Sequence, residues 1–311
     1  MDERGGWSIV RPAVTAVLAV LVLMLGSAVL ARAGGMTLRG TLYRDSPAFR
    51  IWALVAAADM LLWLVIGIEL WRRGRLLAPH ERGMPRWAPP VLYVALAVTV
   101  YVIVREFFTP DLTPALPVDV ASRWLLLLVV GLLACGPAVL GLWLVYLRLR
   151  GLSDVLASSE SRPVAAVFVP ELRTLWTYAQ SCLVGLVVIT FTYVLQTGFL
   201  RKALLATGYP PDQVPISWLL LLGGFLTVVA LLVYSPFFLT WTGSVARLME
   251  VAYPLPANGL PTDEWLADRN RLQGFLNGSA TLKQNLSVLL GTLAPFGGSL
   301  LSAILPELKG G

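Results

Sequence analysis

The stretch that decides the fold is "IWALVAAADMLLWLVIGIELW", Ile51 to Trp71. It has the length and apolarity an α-helix needs to cross a hydrocarbon core of roughly 30 Å. Near its middle stands Asp59, although a carboxylate there costs roughly 2.5–3.5 kcal/mol on insertion scales. The segment therefore raises a structural question and a functional one: what shields the acid, and what it is for.

The rest of the chain repeats the pattern. Its 311 residues are 57% hydrophobic and 14% charged, with a mean hydropathy of +0.74, which leaves too little polar surface for a soluble domain. The apolar residues come in blocks of membrane-spanning length. Six spans are read at about 12–31, 51–71, 88–108, 124–147, 175–200 and 216–241. Aromatic residues stand at many of their ends, among them Trp52, Trp71, Trp87, Trp124, Trp176, Trp218 and Trp241. Indole and phenol rings prefer the headgroup level, where one side is apolar and the other wet. The expected fold is an all-α membrane bundle over residues 1–241, then an amphipathic helical segment over 242–285 and a hydrophobic segment over 286–311.

Charge gives the expected orientation. The formal net charge of +6 comes from cations that flank the apolar blocks, a topology signal rather than a nucleic-acid surface. With the N-terminus in the cytoplasm, sixteen Lys and Arg fall inside and eight outside. Arginine dominates, with lysine only at 202, 283 and 309, a composition that suits a bacterial cytoplasmic (inner) membrane. "ARA", Ala31 to Ala33, resembles a signal-cleavage site, but the apolar run before it is longer than a signal core.

Asp59 needs a partner. Span three ends on the side from which span two enters, and adjacent spans joined by a short loop often pack together. Arg105 is therefore the expected partner, with Glu106 and Tyr101 nearby. Trp52, Ala56, Asp59, Trp63 and Ile66 share one helical face, which places the acid against protein rather than lipid. Glu69 lies beside Arg72 and Arg73, as an interfacial charge would.

Span five is the most polar. Tyr178, Ser181, Gly185, Thr192 and Gln196 form one stripe, which either binds helices together or lines a path. Pro137 and Pro236 fall inside spans four and six. Beyond the spans, "PTDEWLADRNRLQGFLNG" (Pro261 to Gly278) reads as a short surface helix capped by Thr262, with Trp265, Leu272, Phe275 and Leu276 on its apolar side. In "LSVLLGTLAPFGGSLLSAILP", Leu286 to Pro306, Ser287, Gly291, Ala294, Gly298 and Ser302 share a small-residue face. A seventh span, a re-entrant hairpin broken at the Pro-Gly-Gly, and an in-plane helix all fit that segment.

No chemistry is spelled out. The single histidine, His80, sits in an Arg-rich loop, and Cys135 and Cys182 lie within apolar blocks without metal-ligand spacing. No nucleophile with its base can be assembled, and no metal, cofactor or nucleic acid is implied. The sequence points to a non-enzymatic multi-pass protein, a channel or transporter for an ion or small solute. The alternative is a scaffold or anchoring subunit that docks through the 148–174 loop and the 261–278 helix. The expected partners are the bilayer and either further copies of the chain or a membrane subunit.

Overall fold

The computed structural model describes residues 46–77, 88–108, 118–157, 162–254 and 260–276. Span one and the 286–306 segment, with Ser287, Gly291, Gly298 and Ser302, lie outside the described residues. Among the described residues there are six helices: α1 (Pro47–Leu77), α2 (Ala88–Phe108), α3 (Val118–Ala157), α4 (Arg162–Ala206), α5 (Ile216–Ala252) and α6 (Asp263–Leu276). Among the described residues there is no strand, and five of these helices are long and apolar enough to cross a membrane.

Several helices outrun the expected spans. The segment read as a cytoplasmic loop, 148–174, is mostly helix: α3 continues to Ala157 and α4 begins at Arg162. The two extensions are tied by Arg148, whose Nη2 lies 2.7 Å from the Glu171 carboxylate. Likewise α5 passes residue 241 and runs to Ala252, held against α3 where Ser153 Oγ meets Ser244 Oγ at 2.8 Å. Pro137, Pro170 and Pro236 all sit inside helices that continue through them.

The packing centre is the trio α1, α3 and α4, with α5 against α3 and α4. Most of α2 is exposed, and it rests mainly on α3. Large aromatic side chains fill the core: Trp52, Trp63, Trp124 and Trp241 are among the largest fully buried groups. Many apolar side chains face outward instead, such as Leu133, Val184, Leu221, Leu232 and Leu239. A large apolar exterior around a well-packed interior is what a bilayer solvent requires, because lipid exerts no hydrophobic drive to hide those residues.

Local signals end the helices as chemistry dictates. At the end of α4, Gly208 takes φ of +89°, Tyr209 N donates to Leu204 O and Gly208 N donates to Leu205 O. This is the paired hydrogen bonding of a Schellman stop, for which glycine has the freest backbone. At the start of α6 the Thr262 hydroxyl accepts from Trp265 N at 3.3 Å, the cap expected of it. The Trp265 indole then donates to Pro254 O at 3.2 Å and meets the Tyr253 ring edge-on. Leu272 packs on the core, so α6 turns its apolar side onto its own bundle.

Candidate functional site

The contacts between α1 and α4 fix an antiparallel register. The Tyr178 hydroxyl donates to Leu70 O at 3.2 Å, and the open side of Gly185 faces Ile66 and Leu70. Further along, Trp63 Nε1 donates to Thr192 Oγ1 at 2.7 Å, and the Trp63 ring packs on Tyr193. Each turn up α4 thus meets the preceding turn of α1. One turn past the Trp63–Thr192 bond, α1 presents Asp59 and α4 presents Gln196. In α3, which runs parallel to α1, Gly131 faces Trp63 and Gly67 faces Ala134, so Leu127 stands at the level of Asp59.

Asp59 is buried, with only 8% of its surface exposed, and its Oδ2 has no hydrogen-bond partner. Neighbouring protein shields it, as its helix face predicted: Trp52, Ala56 and Trp63 are each fully buried. The expected ion pair with Arg105 is absent. Arg105 is 61% exposed and its Nε lies 3.7 Å from Glu106 of its own helix. The physical reason is packing order. α2 rests on α3 with a slight touch on α5, while α1 packs on α3 and α4, so α1 and α2 have no substantial contact although they are consecutive. The usual preference for sequential contacts fails because the Gly185 and Gly131 surfaces let α4 and α3 come close to α1 instead.

The polar stripe of α4 is largely consumed as helix glue. Tyr178 sits in a slot left open by Gly74 and Gly141, where an added Cβ would come within 2.5 and 2.6 Å of its hydroxyl oxygen. Ser181 Oγ donates to Thr177 O and accepts from Arg73 Nη1 at 3.4 Å. Gly185 gives close approach, and Thr192 holds Trp63. Gln196 is the exception. It is 0% exposed, and neither its Nε2 nor its Oε1 has a partner. One turn back, Tyr193 is also buried, with its hydroxyl unpartnered and its ring between Trp63 and Trp124. The Trp124 indole is spent on Thr197 Oγ1 at 3.2 Å.

Three buried polar groups on two successive turns of the α1–α4 packing, each with an orphaned atom, stand out against the general rule that buried polar atoms find partners. The sequence put Gln196 on the right stripe but offered no link between it and Asp59. Tyr193 escaped notice because it reads as an ordinary core aromatic. The signal available was the shared helical spacing: Gln196 follows Thr192 by one turn, as Asp59 precedes Trp63 by one.

Elsewhere, Glu69 accepts from Arg72 and Arg73 at 2.9 and 2.8 Å, the interfacial cluster expected of it. Cys135 and Cys182 are free and buried. Among the described residues no group of three His, Cys, Asp or Glu gathers as a metal site would.

Fold and site together define a multi-pass membrane helix bundle with an unpaired acid inside it. No protein-family model matches the chain, and neither the curated proteins nor the solved structures contain a match to it.

Proposed function

We propose that this protein is a conduit for a small ion, with Asp59 as the group that receives the ion between α1 and α4. One observation carries the reading: the acid is buried in protein, its Oδ2 has no hydrogen-bond partner, and Arg105, the cation expected beside it, lies against Glu106 instead. An ionisable side chain inside a membrane is expensive, so its retention without a structural partner favours a working role. A register-fixing ion pair, the main structural alternative, requires a partner that Asp59 lacks among the described residues.

The scaffold reading is the weaker one. It needed docking surfaces at 148–174 and on the 261–278 helix. The first is largely two packed helix extensions joined by Arg148 and Glu171, and the second spends Trp265 and Leu272 on its own chain.

The test is ion flux in liposomes holding purified wild type, Asp59→Asn or Asp59→Leu. The conduit reading expects flux in wild type that both variants reduce to the leak of protein-free liposomes. Identical background leakage in all three refutes it, and recovery of one stoichiometric membrane partner would then favour the scaffold.

A further inference from the structure

We infer that Gln196 and the Tyr193 hydroxyl complete the Asp59 site, and that this site holds a bridging water through which Asp59 exchanges a proton. The inference rests on the conduit reading above for its purpose, though not for its geometry.

The geometry comes from the register. Asp59 and Gln196 occupy the turn next to the Trp63–Thr192 hydrogen bond, and Tyr193 touches Trp63 itself. All three are more than nine-tenths buried, and all three carry unpartnered polar atoms. No direct hydrogen bond joins these orphaned atoms to one another. Polar atoms that share a buried level without touching are what a small polar ligand joins.

The donor set selects the ligand. A buried water makes two to four hydrogen bonds, and a carboxyl, a carboxamide and a phenol supply them. A hard metal cation such as calcium asks for about six to eight oxygens at short range. Of the described residues beside the site, Trp63 and Trp124 have committed their indoles to Thr192 and Thr197, and Leu127 is apolar. Among the described residues, the charged side chains toward this end of the bundle are Arg50 on α1, Arg105 and Glu106 on α2, Arg123 on α3, Arg201 and Lys202 on α4, and Asp212 in the α4–α5 connection. Arg201 is held by its Nε bond to Val214 O at 2.8 Å. Trp52, two turns from Asp59 on the same face with an unpartnered indole N–H, lies on the route toward that end.

The chemistry is a simple transfer. The bridging water, protonated as hydronium, gives a proton to the Asp59 carboxylate, so one O–H bond breaks, another forms, and water remains. The reverse step releases the proton to the next water.

Infrared difference spectra of the full chain in vesicles test the site, with the Asp59 carboxyl band assigned by its loss in Asp59→Asn. Spectra in H2O and D2O would be paired with pH-driven flux in sodium, potassium and choline media. The expected result is a carboxyl band that shifts in D2O, moves again in Gln196→Leu and Tyr193→Phe, and accompanies flux that ignores the salt. A wild-type band indifferent to D2O overturns the water site without depending on any variant. Flux that requires sodium or potassium overturns the proton assignment. A responsive band with no flux in any protein supports the site and refutes the conduit reading alone.

Discussion

Gly185→Leu is the sharpest test of the α1–α4 packing on which the site depends. A Cβ at residue 185 would lie 2.7 Å from Leu70 Cδ1 and 2.9 Å from Ile66 Cγ2, where ordinary contact begins near 3.4 Å. The shortfalls are thus about 0.7 and 0.5 Å. Both obstructing atoms are methyl ends of flexible side chains, so an alanine is met by rotamer shifts costing about 0.5–1.5 kcal/mol. Relief of glycine's helix penalty, up to about 1 kcal/mol, offsets most of that. Gly185→Ala is therefore expected to change stability by less than about 1 kcal/mol. Leucine adds three more carbons to an interface already closed, and overpacking of that kind costs about 1–3 kcal/mol or more. Gly224 is the control, because nothing lies within 4 Å of a Cβ built there. Denaturant unfolding in micelles should rank Gly185→Leu well below wild type and leave Gly224→Leu at or above it. Equal stability of the two leucine variants would refute the packing argument.

Three further outcomes follow from the same contacts. A double-mutant cycle of Trp63→Phe and Thr192→Val should return a coupling of about 0.6 kcal/mol, and no more than about 1.7, as interhelical membrane hydrogen bonds do; zero coupling would deny the bond. Arg105→Ala should shift stability by less than about 0.5 kcal/mol, since its guanidinium is exposed and serves only Glu106; a loss of several kcal/mol would revive the pair with Asp59. Tyr178→Phe should cost about 0.5–1.5 kcal/mol through the lost bond to Leu70 O, measured by the same unfolding assay.

Much of the fold was legible in the residues, and the limits have physical causes. Apolar run length located α1 and α2 well, because a membrane span needs a fixed length of hydrocarbon-compatible helix. It could not find where α3 and α5 stop or where α4 starts, since beyond the bilayer a helix continues as long as local packing holds it, here through Arg148 with Glu171 and Ser153 with Ser244. The burial of Asp59 was readable from its neighbours Trp52, Ala56 and Trp63. Its partner was not. Chain adjacency suggested α2, while the choice of neighbour was made by glycines at 131 and 185 on helices farther along. Small residues mark where backbones can approach, but not which helix arrives. Thr262 illustrates the opposite case: a cap is a local interaction, so its hydroxyl landed where the sequence placed it.

The account stands or falls on which helix the buried acid faces. Paired cysteines at 59 and 196, in a chain with Cys135 and Cys182 changed to alanine, would be treated in vesicles with a short bis-thiol reagent. Cysteines at 63 and 192 serve as the positive control, and cysteines at 59 and 105 as the competing geometry. The account predicts a cross-link at 59–196 as efficient as the control and none at 59–105. A 59–105 product, or an unreacted 59–196 pair beside a reacted control, would contradict it.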